Sequence, residues 1–240
     1  MHFETRKLAL VCIFAALYAA FSLVSLFPII GAVGRFITLA TVLAPIMGML
    51  LGPYLGVLAT SIGGFVGWTA TQSGAFSFVS FIPGSSSAFT AGLLTNGKRT
   101  VSAIFYLILF LPMAFFPIIG PAWLYPLYLW LQLVGVIVLI SPTSTVASKS
   151  MRADKMEKLT LGVGVIALVS TLVGQVAGTL MFELFVYPVN PQIDFWRIAQ
   201  WQLLTFVYPL ERSIIAVLAT LVGAPLIRAV RAYGFEVGGI

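Results

Sequence analysis

FITLATVLAPIMGMLLGPYLGVLATSIGGFVGWTATQSGAFSFVSFIPGSSSAFTAGLLTNG, residues 36–97, runs for 62 positions without an Asp, Glu, Lys, Arg or His. A second uncharged run of 49 residues covers 100–148. At about 1.5 Å per helical residue these runs would extend roughly 93 Å and 73 Å, against a hydrocarbon core of about 30 Å. The arithmetic gives about three crossings and then about two. Lys98-Arg99, between the runs, marks a return to water, because a charge at the bilayer centre costs several kcal/mol. The chain reads as a polytopic all-α membrane protein.

Composition points the same way. Hydrophobic residues make up 60% and charged residues 8%, with 22 Gly and 13 Pro, the small and helix-interrupting residues that membrane bundles tolerate. A β-barrel would need strict alternation of apolar and polar residues, which these continuous runs lack. The single Cys12 allows no internal disulfide. Residues 1–7 are too polar and short, and the apolar stretch after them too long, for a cleaved signal peptide, so the N-terminus reads as retained. The 13 basic residues against 7 acidic ones do not indicate nucleic acid, because they sit at the ends of apolar segments.

With Pro, Gly and charge as punctuation, the expected spans are 8–30, 36–51, 54–70, 76–94, 101–119, 123–140, 159–186 and 203–227, about eight transmembrane segments in a single membrane domain over 1–240. Gly52-Pro53 separates the second from the third. The fourth is interrupted by Pro83-Gly84-Ser85-Ser86-Ser87 and could instead re-enter the membrane. An even count puts both termini on one side. With that side cytoplasmic, ten of the thirteen basic residues lie inside and only Arg35 and Arg197 outside, in accord with the positive-inside rule. The expected location is the cell membrane.

Absences exclude several chemistries. The only histidine is His2, so histidine-ligated haem, a His-based metal site and Ser-His proteolysis lack their central residue. Gly92 to Arg99 is one residue short of a phosphate-binding P-loop, but Arg99 stands where the magnesium-binding Ser or Thr belongs and no buried strand precedes it. The chain therefore reads as a non-enzyme with no cofactor, no metal and no ATPase of its own.

The ionisable residues left on the outer or intramembrane side cluster. Glu211 and Arg212 lie in the last span, Glu183 near the outer end of the span before it, and Gln175 two helical turns deeper on the same face. Between them the loop 188–202 carries Asn190, Gln192, Asp194, Trp196, Arg197, Gln200, Trp201 and Gln202. Trp68, Gln72 and Ser73, at the outer end of the third span, and Arg35, in the first outer loop, can complete the same mouth. Such a polar, aromatic mouth in an apolar protein suits a small polar solute. The competing reading pairs Arg212 with Glu183 or Glu211 to lock two helices and leaves the tryptophans as interfacial anchors.

In the first span, Ala15 with Ala19 and Ala16 with Ala20 form two overlapping Ala-x-x-x-Ala pairs. Small residues four apart let a second helix approach closely, either within the chain or from a partner.

The order of these parts resembles the substrate-binding S components of energy-coupling-factor transporters, which take up vitamins and related micronutrients. A basic start leads into KLALVCIFAALYAAF, then LAPIMGMLLGPYLGVLATSIGGFVG with its Gly-Pro turn, a span ending in GLLTNGKR, and a last helix opening as YPLERSIIAVLATLVG. The resemblance implies a six-helix core, about 8–94 and 159–231, with the surplus residues 101–140 as an inserted hairpin. It also implies capture of a solute from outside by the outer loops and last three helices, with Glu183, Trp201, Glu211 and Arg212 as pocket residues. Ala15 and Ala19 would dock to a transmembrane coupling subunit driven by two cytoplasmic ATPases. The residues leave two rivals open: a non-catalytic accessory subunit of a larger membrane complex, and a membrane enzyme using Glu183 or Glu211 as acid or base. Charge alone does not choose the solute, since Arg212, Arg35 and Arg197 suit an anion and the two glutamates a cation.

Overall fold

Proline disfavours helical geometry in the residue before it, and glycine tolerates the left-handed alternative. In the computed structural model, which describes residues 2–28, 36–71, 79–185, 198–234 and 237–238, Gly52 sits at φ 80°, ψ 178° inside helix α2 (Ala40–Thr71), ahead of Pro53. The two arms, residues 40–51 and 53–71, fold back on each other. A Cβ on Gly56 would lie 3.0 Å from the Gly48 Cα, whereas eight residues of straight helix would hold the two positions about 12 Å apart.

Before this hairpin, α1 (His2–Ser22) leads into strand β1 (Ser25–Pro28), paired antiparallel with β2 (Phe36–Thr38). After it come α3 (Phe81–Thr95), α4 (Arg99–Ala114), the short α5 (Pro121–Leu124), a 3-10 turn (Pro126–Leu129), α6 (Trp130–Ile140) and α7 (Pro142–Ser150). Two long helices follow, α8 (Met156–Phe185) and α9 (Ile198–Ala232). Of the described residues 84% are helical, which makes this an all-α bundle.

Side-chain contacts set the direction of each segment. Thr60 and Gly64 on the second arm of α2 meet Ser85 and Phe81, so α3 runs antiparallel to that arm. Ala15 and Ser22 meet Gly63 and Gly67, so α1 runs parallel to it. Gly174 and Gly178 meet Ser87 and Pro83, and Gly164 and Val163 meet Thr220 and Gly223, so α8 is antiparallel to both α3 and α9. The chain thus shuttles between two ends of the bundle. At one end Asn96 donates to the Gly238 carbonyl (2.6 Å), Ser148 to the Thr95 carbonyl (3.4 Å) and Arg231 to the Ala153 carbonyl (3.4 Å). That end gathers Lys98, Arg99, Lys149, Arg152 and Arg231.

Helix length separates the expected spans into classes. Among the described residues three helices, Ala40–Ala70, Met156–Phe185 and Ala199–Ala232, are long and apolar enough to cross a membrane by length and composition, although the reversal at Gly52 divides the first between two arms. Pro126–Ile140 with Pro142–Ser150, bent by 69°, makes a fourth if the pair is one span. The other apolar helices are shorter because the chain turns early. α1 stops at Ser22, whose hydroxyl donates back to the Ala19 carbonyl (2.6 Å), and the rest of the expected first span enters β1. The expected 101–119 span ends at Ala114. Across 123–140 the chain is broken by Pro121 and Pro126 into a helical turn, a 3-10 turn and an 11-residue helix.

Two expectations need correction. Pro83-Gly84-Ser85-Ser86-Ser87 does not interrupt a helix: it is helical, and Gly84 to Ser87 are buried where α3 packs on α2 and α8. Proline is tolerated there because it falls in the first turn, where no intrahelical N–H is needed. The Ala15 face of α1 is not free for a partner either. Ala15 is buried, and Gly63, lacking a Cβ, lets its carbonyl approach the second α2 arm directly. Ala19 is half-buried on the same side, while Ala16 and Ala20 are exposed.

Candidate solute-binding site

Four polar residues recur at spacing four along the second half of α8: Thr171, Gln175, Thr179 and Glu183. In a helix such residues form one stripe, and all four are buried. The 3-10 turn and α6 lie against this stripe. Gln175 Nε2 donates to the Tyr128 hydroxyl (2.8 Å), which lies 3.5 Å from the Thr179 hydroxyl. In the orientation that satisfies its amide, Gln132 donates to the Tyr128 carbonyl (2.8 Å) and accepts from Gln175 Nε2 (3.0 Å). The 101–140 segment therefore supplies part of the cluster rather than lying apart from the core.

α9 closes the other side with aromatic residues. The Trp201 ring lies 4.6 Å from that of Tyr128, and Tyr208 lies 6.1 Å from Tyr128. Trp201 Nε1 donates to the Ile119 carbonyl (3.0 Å), which ties α9 to the turn after α4. Trp201→Phe keeps most of the ring packing but leaves that carbonyl without its donor, so a loss of about 1–3 kcal/mol in unfolding free energy is expected, read from denaturant or thermal unfolding in detergent.

One turn beyond Tyr208, Arg212 lays its guanidinium 5.5 Å from the Tyr208 ring centre, and its Nη2 pairs with Glu211 Oε2 at 3.3 Å. The pair joins adjacent residues of one helix. It therefore does not lock two helices, as the competing reading of the sequence supposed.

The groups left unpaired set the chemistry. Among the described residues, both Glu183 carboxylate oxygens, Gln175 Oε1, Gln200 Oε1 and the Arg212 Nε–H are buried without a hydrogen-bond partner. Glu183 is 0% exposed and lies near enough to Tyr128 to act on its hydroxyl electrostatically. An unpaired buried carboxylate costs several kcal/mol. Such a group demands a donor or a proton; three of these four residues present acceptors, while the Thr171 hydroxyl, also buried and unpaired on the stripe, can donate or accept.

Gln175, Glu183 and Trp201 thus gather around Tyr128, held by α8, α9 and the 126–132 segment, whereas Glu211 and Arg212 lie further along α9 and reach that group through Tyr208. Trp68 lies half-buried on α2, its ring 5.4 Å from that of Phe65, on a helix packed chiefly against α1 and α3. Arg35, Gln72, Ser73, Asn190, Gln192, Asp194, Trp196 and Arg197 lie outside the described residues. Sequence reasoning missed Tyr128, Gln132, Thr179 and Tyr208. A signal for one was present: Gln132 is the only side-chain amide in the uncharged run 100–148. The four-residue stripe on α8 was a second. Comparison with protein-family models, with curated proteins and with solved structures gives no match.

Proposed function

We propose that this chain is the membrane-embedded substrate-capture subunit of an importer of the energy-coupling-factor type. It binds a small polar, vitamin-like solute and docks to a transmembrane coupling subunit with its ATPases. The observation that carries the reading is Glu183, buried and without a hydrogen-bond partner among the described residues, close to the Tyr128 that Gln175 and Trp201 also contact. The excess of unpaired acceptors favours a solute that presents N–H groups on a planar ring, hydrogen-bonded by Glu183 and stacked on Tyr128 or Trp201. The eight-pass reading draws on the alternating direction of the segments, with the nearly wholly buried 40–51 arm enclosed by its neighbours, while three or four of the described helices are long enough to cross on their own. The cations gathered at one bundle end support a cytoplasmic assignment for that end, and with it for both termini.

The accessory-subunit alternative draws on two observations, the Arg212–Glu211 pair and the internally packed Ala15. Mass spectrometry of small molecules released from gently purified protein separates the readings. A stoichiometric compound absent from a mock purification supports solute capture. An empty protein that retains other membrane subunits but no ATPases supports the alternative.

The exposed Ala16–Ala20 pair is the small-residue face of α1 left for the coupling subunit. Ala20→Trp is expected to preserve solute binding and abolish uptake in cells that carry the ATPases. Ala15→Trp is expected to lower folded yield as well, because it collides with α2.

A further inference from the structure

At the end of the bundle away from Trp201, a cavity of about 280 Å³ is lined by Leu94, Asn96, Gly97, Arg99, Ser144, Thr145, Ser148, Lys149 and Arg152. Three of these residues are cationic and none is acidic. Asp154 does not line the cavity; both it and Arg152 lie close enough to Arg231 to act on it electrostatically. Most of the hydroxyl protons are spent on backbone: Ser144 donates to the Leu139 carbonyl (3.0 Å) and Ser148 to that of Thr95 (3.4 Å). Arg99 uses one N–H on the Thr145 hydroxyl (3.1 Å), which anchors the guanidinium at the rim and leaves its other donors available. The first turn of the 16-residue α4 opens at the same place without a side-chain cap, adding the partial positive charge of a helix N-terminus. Lys149 and Arg152 are exposed, so both heads can turn into the cavity.

We propose that this cavity binds a phosphate group, held by Arg99, Lys149 and Arg152. Guanidinium pairs match phosphate oxygens by bidentate hydrogen bonds, and a lysine ammonium adds a point charge. The cavity is large enough for one phosphate with part of a headgroup. It lies at the basic end of the bundle, the level at which anionic lipid headgroups meet a membrane protein. The phosphate can therefore belong to an anionic phospholipid or to a free anion, and both present the same chemistry. The site stands apart from the Glu183 cluster and does not depend on the transport reading.

The test uses the full chain in vesicles of 1:1 phosphatidylglycerol and phosphatidylcholine, extracted gently for native mass spectrometry, with inorganic phosphate titrated separately against detergent-purified protein. Lys149→Gln/Arg152→Gln is compared with Lys155→Gln/Lys158→Gln, which removes two charges of the same end that do not line the cavity. Retention of about one phosphatidylglycerol per chain, weakened at least tenfold in the first variant and unchanged in the second, supports the site with lipid as the source. Phosphate binding with the same variant pattern, and no lipid preference, supports it with a free anion as the source. Equal loss in both variants shows a general charge effect and overturns the site. So does the absence of any difference between wild type and the first variant with either probe.

Discussion

Glu183→Gln is expected to weaken binding of the solute released from the native protein by at least ~100-fold, about 2.7 kcal/mol, while leaving the empty protein as stable as wild type or more so. The two effects share one cause. Glu183 is fully buried with neither oxygen hydrogen-bonded among the described residues, so the ligand-free protein carries a buried acidic group without a partner, which an amide of the same shape, unable to ionise, replaces at no cost or with a small gain. A bound N–H-bearing solute satisfies that carboxylate, and charge-assisted hydrogen bonds in a dry site are the strong ones. Isothermal titration together with thermal unfolding of the same samples reads both quantities. Unchanged affinity in a well-folded variant would remove Glu183 from the site. A marked fall in stability would instead assign the carboxylate a structural partner. Arg212→Ala is a less clean probe, because removing the guanidinium strands Glu211, its buried neighbour, without its pair.

The largest expected stability effect lies at the α2–α3 contact. Gly92→Ala would place a Cβ on the backbone of Gly52 and Pro53, and Gly48→Ala would place one on the backbone of Ala88. Neither neighbour is the end of a flexible side chain, so the helices must separate. Each substitution is expected to cost about 3 kcal/mol, the upper part of the range for overpacked cores, and the pair should prevent recovery of monodisperse protein. Gly164→Ala is the contrasting case. Its Cβ would meet Thr220 at 3.5 Å, an ordinary contact, and replacing a mid-helix glycine there should gain about 0.4–1 kcal/mol. Melting temperatures of the three variants in one detergent provide the comparison. A neutral Gly92→Ala would mean that the α2 turn yields more readily than its Gly-Pro geometry implies.

How far the sequence carried the architecture differs from segment to segment. The long apolar helices α8 and α9 were legible within a few residues, because uninterrupted apolar composition and the charged stretch around 149–158 leave few alternatives. The Gly52-Pro53 reversal was also legible, since the Pro effect on the preceding residue is local. The end of α1 and the β1–β2 hairpin were not. SLVSLFP reads equally as the tail of an apolar helix, and only pairing with residues 36–38 makes it a strand. The seryl cluster 85–87 read as a helix breaker because serine competes for backbone hydrogen bonds. Packed between α2 and α8, the helical backbone prevails.

The candidate site divides along the same line. Composition determined that this is a helical, membrane-compatible chain, because apolar surface on that scale has no stable place in water. Spacing placed Gln175 and Glu183 on one face. Only the tertiary structure brought Tyr128 and Gln132 to that face, paired Arg212 with its own neighbour instead of across helices, and turned the Ala15 side of α1 inward. Periodicity reports which residues share a helix face. Which helix that face meets depends on close approaches such as those at Gly48, Gly63 and Gly92, contacts between positions distant in sequence that no local pattern encodes.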